Sequence, residues 1–229
     1  LWTLAEHYRR TGDDLWMRDV APDVARAARW ISTERKKTQR PGLEGRVRPE
    51  SGLIPPGVSA DWNRFAYRFY QSAHFSTGLT ESASALSSIQ FPGASDLVAD
   101  AAAFRQDVLR AYNWTRDRSP LLPLANGAWT AAYPSILFYF GRLEDIFNED
   151  WSRSWAYDVE LGAHHLAAQG IMDPNAAETG AMLDHMEDFW FLHAGMGDYP
   201  EEKNHQDWFN LGGFAKIQPY YARNAELYA

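Results

Sequence analysis

Residues 91–116, FPGASDLVADAAAFRQDVLRAYNWTR, contain a helix break followed by one complete amphipathic helix. Phe91-Pro92-Gly93 ends the preceding helical segment, and Ser95 is an N-cap residue type placed directly before the next one. The apolar residues then recur at helical spacing: Leu97, Ala101, Phe104, Val108 and Tyr112. The stretch therefore predicts the turn and the second helix of an antiparallel helical hairpin.

The same helical periodicity extends in both directions, and strand alternation is nearly absent apart from possible short strands in residues 128–140. The predicted helices cover residues 1–10, 22–37, 66–88, 96–116, 152–169, 175–192 and 213 onward. Short connections (11–14, 91–95, 170–175) alternate with long ones (38–65, 117–151, 193–210). Because consecutive helices are antiparallel, this alternation places the long loops on one face, as in a ring of hairpins. We expect an all-α fold, an incomplete (α/α) toroid forming a single domain over residues 1–229.

The composition limits the functional classes. The net charge of −8 and the lack of a long basic cluster argue against nucleic acid and against strongly anionic polysaccharides. The apolar runs are too short to cross a bilayer, so no membrane partner is expected. Cysteine is absent, which excludes thiolate chemistry and leaves the compartment open. No nucleotide, serine-hydrolase or chelating motif occurs, so no cofactor or metal is predicted. The ten tryptophans are the unusual feature, because several of them lie in polar loops.

Several stretches are similar to those of bacterial six-hairpin glycosidases. They are residues 7–13 (HYRRTGD), 52–57 (GLIPPG), 157–163 (YDVELGA), 186–188 (MED), 198–203 (DYPEEK) and 212–221 (GGFAKIQPYY), with Asn224-Ala225-Glu226. The resemblance implies an (α/α)6 barrel, a sugar-binding cleft on the long-loop face and hydrolysis by two carboxylic acids. Many relatives carry consecutive acidic residues in the third helix, where this chain has Gln71 and Ser72. The usual catalytic pair therefore does not carry over directly.

The candidate catalytic carboxylates lie at two places in the chain. Asp158 and Glu160 begin a predicted helix at the end of a long loop, and Glu202 and Asp207 lie in the polar loop of residues 197–208. Glycoside hydrolysis requires one protonated and one ionised carboxyl group across the sugar. The other interpretations are a helix-dipole role for the first two residues and a solvated, locally ion-paired loop for the others.

The candidate substrate-binding residues are aromatic and polar side chains predicted to lie in the long loops. They are Asp61, Trp62, Asn126, Trp129, Tyr199, Lys203, His205 and Trp208. A loop tryptophan can stack on the apolar face of a sugar, or it can cover the core.

The expected function is a glycoside hydrolase acting on neutral or weakly charged glycans. The alternatives are a polysaccharide lyase, with Tyr199, His205 and Lys203 as its base and charge-neutralising groups, and a non-catalytic sugar-binding or scaffold protein. An open ring is also expected to expose apolar surface at both edges, covered by the remainder of its own barrel or by a partner chain.

Overall fold

The computed structural model describes residues 1–59, 62–124, 126–141 and 163–187 of the chain. This part is mostly helical, with a few short antiparallel strands, which confirms the broad all-α prediction. The helices are α1 (Trp2–Thr11), α2 (Asp14–Lys36), α3 (Phe69–Ser88), α4 (Ala94–Arg116), α5 (His164–Ala168) and α6 (Ala177–Glu187). The strands β1 (Gly57–Ser59) and β2 (Trp62–Ala66) form one antiparallel pair, and β3 (Leu121–Pro123) and β4 (Trp129–Ala131) form another. None of the described helices is long and apolar enough to cross a bilayer.

Helix α2 begins eight residues earlier than the sequence predicted. Gly12, at a φ of 63°, ends α1, and the Asp13 side chain then accepts a hydrogen bond from the Trp16 amide at 2.9 Å. This cap starts α2 at Asp14, so Pro22 lies inside the helix and not in its first turn. Proline has no amide hydrogen to donate to the carbonyl four residues earlier, and a helix interior tolerates it only when the surrounding structure compensates.

The predicted core of α4 is confirmed, because Leu97, Ala101, Phe104, Val108 and Tyr112 are all buried. On α2, Val24, Ala28 and Ile31 are buried, whereas Ala27 is exposed. On α3, Ala73 and Leu86 are buried, whereas His74 is exposed.

The chain forms two compact units, residues 1–67 with 71–111 and residues 68–70 with 112–229. The first unit is centred on an arginine. Arg35 of α2 is 1% exposed, donates through Nε to the Gly52 carbonyl at 3.1 Å, and lies 4.9 Å from the centre of the Phe104 ring. Its two terminal nitrogens donate to Asp100 and Asp107 of α4.

Thr38 also contacts the loop that contains Gly52. Its hydroxyl oxygen accepts from the Gly52 amide at 3.0 Å and lies 2.8 Å from the carbonyls of Arg35 and Leu53. The main chain of Gly52 and Leu53 is therefore held by the buried side chains of Arg35 and Thr38.

In the second unit, the segment after β4 packs against the start of α3. The Phe69 amide donates to the Ser135 carbonyl at 3.0 Å, and Arg68 forms an antiparallel bridge with Ile136. The Phe69 ring meets the Tyr112 ring edge-on, with 5.4 Å between centroids. These contacts hold the β3–β4 hairpin and the segment that follows it.

Candidate functional site

The β3–β4 hairpin brings together two of the predicted substrate-binding residues, Asn126 and Trp129. The strand register pairs Leu121 with Ala131, Leu122 with Thr130 and Pro123 with Trp129. Successive strand residues face opposite sides, so Leu122 and Thr130 are buried while Trp129 and Leu121 are 66% and 64% exposed. Trp129 thus lies on an open surface, as a binding platform requires.

The turn of this hairpin explains the position of Asn126. Its side-chain oxygen accepts a hydrogen bond from the Ala128 amide at 2.9 Å, and the Leu124 amide donates to the Ala128 carbonyl at 2.8 Å. Gly127 adopts a φ of 84°, a conformation that favours glycine. Asn126 is exposed and shapes the loop that carries Trp129, a structural role that the sequence analysis did not assign to it.

Behind the hairpin, the second unit contains a cluster of polar side chains from α4, α6 and the segment after β4. The Arg116 guanidinium forms an ion pair with Glu178 and lies 6.0 Å from the centre of the Tyr112 ring. The Tyr133 ring lies 5.7 Å from the His185 ring. The four side chains of this cluster are Arg116, Tyr133, Glu178 and His185.

The tyrosines of this region are held in their neutral form. Burial raises the pKa of Tyr133, and nearby Asp184 raises it further, whereas a hydrogen bond with Thr130 and the charge of Arg116 oppose the shift. Burial also raises the pKa of Tyr112 far above its usual range. The Tyr112 hydroxyl is buried and has no hydrogen-bond partner among the residues that the structure describes.

His164 is the other perturbed group of the second unit. It is 1% exposed, and its ring lies 4.3 Å from the ring of His165. Burial lowers the pKa of His164 well below its usual range, and His165 lowers it further. The adjacent His165 ring lies 5.8 Å from that of Tyr70. His164 is thus a neutral imidazole at neutral pH.

All four predicted catalytic carboxylates, Asp158, Glu160, Glu202 and Asp207, lie outside the described residues. The same holds for four predicted substrate contacts, which are Tyr199, Lys203, His205 and Trp208. Asp61 is also outside, and the backbone of Trp62 pairs with Ser59 in the β1–β2 hairpin without its side chain being described. The roles assigned to these residues remain predictions.

Some of the described carboxylates are engaged in ion pairs. Asp100 and Asp107 pair with Arg35, and Glu178 pairs with Arg116. These ion pairs join separate elements of the fold, so we assign the three carboxylates structural roles. Within the described ranges, no group of three His, Asp or Glu side chains is arranged to hold a metal ion.

A surface depression of about 550 Å3 lies between α3 and α4 in the first unit. Its lining includes Thr80, Ser84, Val98, Ala102 and Arg105, and no predicted site residue. Most of the lining side chains are short, so this depression is a groove between two helices.

Sequence reasoning did miss Phe65, which is 73% exposed on β2. The alternation along β2 was the available signal, since its neighbour Ala66 is buried.

No protein-family model, no curated protein and no solved structure matches this chain. The similarity to six-hairpin glycosidases therefore stays a prediction from the sequence motifs. What the structure adds is the exposed tryptophan of the β3–β4 hairpin.

Proposed function

We propose that this chain is a carbohydrate-active protein of the six-hairpin, (α/α)-toroid type, a glycoside hydrolase that acts on neutral or weakly charged glycans. The observation that carries the proposal is the 66% exposure of Trp129 on a strand whose next residue, Thr130, is buried. The pairing of β4 with β3 fixes which side of the strand faces solvent. The indole is thus held outward by the backbone.

The surface around Trp129 suits a sugar ring. Pro123, its cross-strand partner, and Leu121 lie on the same outward face of the hairpin. Leaving this much apolar surface in water is unfavourable unless a ligand covers it. The C–H face of a pyranose is apolar and flat, whereas its hydroxyls prefer polar neighbours. A rigid indole beside small apolar side chains can therefore select for the carbohydrate face.

The hydrolytic step would require two carboxyl groups on either side of the glycosidic bond, one to donate a proton and one to activate water or to attack. Asp158, Glu160, Glu202 and Asp207 are the proposed sources. The carboxylates of Asp100, Asp107 and Glu178 are not proposed for this role, because they are already engaged in ion pairs with Arg35 and Arg116.

Two other activities have a specific observation in their favour. The His185 ring lies 5.7 Å from the ring of Tyr133, whose hydroxyl is near Arg116, and a lyase needs a base such as histidine near a cation. A non-catalytic sugar-binding role is favoured by Ser72, which is 3% exposed where relatives carry an acidic residue. We place the hydrolase first because the six motif similarities point to it.

The test measures binding of the purified chain to a panel of neutral oligosaccharides by titration calorimetry, with the Trp129→Ala variant beside it. Aromatic stacking contributes roughly 1–1.5 kcal/mol, so the variant is expected to bind about tenfold more weakly. Trp30→Ala is the matched control, because Trp30 is 51% exposed but lies on α2 in the first unit. Equal losses in both variants, or no binding by the native chain, would overturn the proposal.

The products separate the three activities. A new reducing end without ultraviolet absorbance indicates hydrolysis, an unsaturated uronate indicates a lyase, and saturable binding without turnover indicates the non-catalytic role. For hydrolysis, replacing the true acid or nucleophile among Asp158, Glu160, Glu202 and Asp207 by its amide removes turnover while binding persists. Retained turnover in all four amide variants would place the catalytic pair elsewhere.

A further inference from the structure

A short basic projection in the first unit stands apart from the acidic remainder of the chain. Six of the 22 Lys and Arg residues lie between Arg35 and Arg48, and this stretch contains one carboxylate, Glu44. Residues 40–48, called the basic finger below, form its outer part. Arg35 is buried, so the positive charge at the surface of this stretch comes from the other five cations.

The basic finger has a defined backbone. Pro41 and Val47 form an antiparallel bridge, and the Gly42 amide donates to the Arg46 carbonyl at 3.1 Å. A single turn of 3-10 helix at Leu43–Gly45 closes the tip. The finger is thus a short loop closed at its base by one bridged pair.

The bridge brings three exposed arginines close together. Arg40 adjoins Pro41, and Arg46 and Arg48 adjoin Val47, so all three lie within one residue of the bridged pair. Like charges held this close repel one another, so this arrangement is unfavourable unless an anion balances it.

The local carboxylates balance these charges poorly. Glu44 lies 3.4 Å from the Arg46 guanidinium, but both side chains are about four-fifths exposed. Glu50 lies 3.7 Å from Arg48, near the limit of an ion pair. Arg40 donates through Nε to the Lys37 carbonyl, a neutral acceptor, at 3.3 Å. Exposed pairs of this kind contribute little and leave guanidinium nitrogens available to an outside anion.

An aromatic residue lies near the base of the finger. The charges of Arg40 and Glu50 both act on the hydroxyl of Tyr67, which is half-buried. Phe65 precedes Tyr67 by two residues in the chain and is 73% exposed.

We propose that the basic finger binds the anionic groups, carboxylate or sulfate, of an acidic glycan, with Arg40, Arg46 and Arg48 as the anion ligands. The proposal rests on the carbohydrate function proposed above and names the substrate class more narrowly. An arginine fork matches a carboxylate or sulfate in two parallel hydrogen bonds. A densely charged polyanion is repelled by the acidic remainder of the chain, whereas a glycan with isolated acidic groups meets only the finger. Glu44 at the tip also opposes insertion into an anionic lipid surface.

The experiment compares pairs of oligosaccharides that differ in one acidic group. The native chain is titrated at low salt with three uronate-bearing oligosaccharides, with singly sulfated forms, and with the neutral backbone of each. The Arg46→Gln/Arg48→Gln double variant is measured beside Arg9→Gln/Arg10→Gln, which removes the same charge from exposed arginines on α1. We expect acidic oligosaccharides to bind the native chain about tenfold more tightly than their neutral counterparts, because charge-assisted bidentate pairs are the strong class of hydrogen bond.

The expected pattern has three parts. The preference for the acidic form disappears in the finger variant, persists in the α1 variant, and weakens as salt is raised. Comparing the affinities for the uronate-bearing and the sulfated oligosaccharides identifies the natural anion. Equal affinity for hexaglutamate or for a short oligonucleotide, or no preference for any acidic oligosaccharide, would overturn the proposal. Binding of the neutral forms, measured through Trp129→Ala in the same series, reports separately on the carbohydrate function itself.

Discussion

Arg35 of α2 donates a hydrogen bond to Asp107 of α4 at the point where the backbone of Gly52 passes between the two helices. A Cβ atom built on Gly52 would lie 1.9 Å from the Asp107 carboxylate oxygen, and Gly52 has a φ of 84°. Arginine, aspartate and glycine therefore depend on one another. A change in any one of them is expected to disturb the backbone at Gly52.

This relationship predicts that Gly52→Ala is far more damaging than an ordinary glycine substitution. The new methyl group would displace Asp107 from a buried ion pair, in addition to the strain of a left-handed backbone. We expect the free energy of unfolding to fall by about 3 kcal/mol or more. Gly12→Ala is the control, because Gly12 also has a positive φ, 63°, but its Cβ position is open.

The Gly12 variant should lose about 1–2 kcal/mol, from the left-handed backbone alone. Urea unfolding followed by circular dichroism measures both variants. Equal losses would mean that the Asp107 side chain moves aside without penalty.

The charges around Arg35 provide a second prediction. Arg35→Met leaves Asp100 without its cation and leaves Asp107 paired with Arg110 alone, and breaking a buried pair costs about 3–5 kcal/mol. The double variant Arg35→Met/Asp100→Asn removes the carboxylate that has lost its cation and should recover at least half of that loss. If the double variant is as unstable as the single one, the loss comes from the packing of Arg35 over Phe104 and not from charge.

We expect opposite changes in stability when the hydroxyl group is removed from Tyr112 and when it is removed from Tyr133. The buried Tyr112 hydroxyl has no partner among the described residues, so Tyr112→Phe should leave stability at pH 7 unchanged or raise it by up to about 1 kcal/mol. Tyr133 shares a hydrogen bond with Thr130, so Tyr133→Phe should lower stability by about 1 kcal/mol. Thermal unfolding of the two single variants distinguishes them, and equal effects would contradict the assignment.

The same tyrosines predict a loss of stability at high pH. Their folded-state pKa values are raised, so the native state keeps protons that the unfolded state releases above pH 10. Stability is therefore fully present below about pH 10 and decreases above it, by up to about 1.4 kcal/mol per pH unit for Tyr112. Unfolding measured at pH 9 and pH 11 should show a smaller decrease in Tyr112→Phe than in the native chain. An unchanged decrease would show that Tyr112 ionises readily in the folded protein.

His164 predicts a loss of stability at low pH. Burial lowers the pKa of His164 in the folded state. The unfolded state therefore takes up a proton below about pH 6.5, whereas His164 stays neutral in the native state. Stability is present above that pH and falls below it by up to about 1.4 kcal/mol per pH unit. His164→Leu should flatten this dependence between pH 6.5 and pH 5, as measured by urea midpoints. The same substitution at exposed His7 is the control and should keep the native slope.

The sequence predicted the helices best where apolar spacing, a cap and a break coincide. α4 satisfies all three conditions, and its five predicted core residues are buried. The start of α2 was missed because Pro22 resembles a first-turn residue, while the actual cap is Asp13. A local pattern cannot decide between two plausible starts when the intervening residues also form helix well.

The site was predictable only in part. Trp129 was predicted as a loop tryptophan, and its exposure depends on the pairing of β4 with β3, which the sequence pattern does not indicate. Arg35 lies at a helix end, where a cation needs no further explanation, so its burial between carboxylates far along the chain was not predicted. The finger arginines were missed as a group, because only the Pro41–Val47 bridge shows that they lie close together.

The Arg35 contacts also have a consequence for the order in which the first unit assembles. Its partners Gly52, Asp100 and Asp107 are separated from it by 17, 65 and 72 residues. Contacts across such separations require loop closure that is entropically costly, so they are expected to form after the local helices and after the folding barrier. Interactions formed late slow unfolding and barely change the folding rate. Arg35 would then mainly slow the unfolding of the first unit, and so set how long the folded state lasts once it has formed.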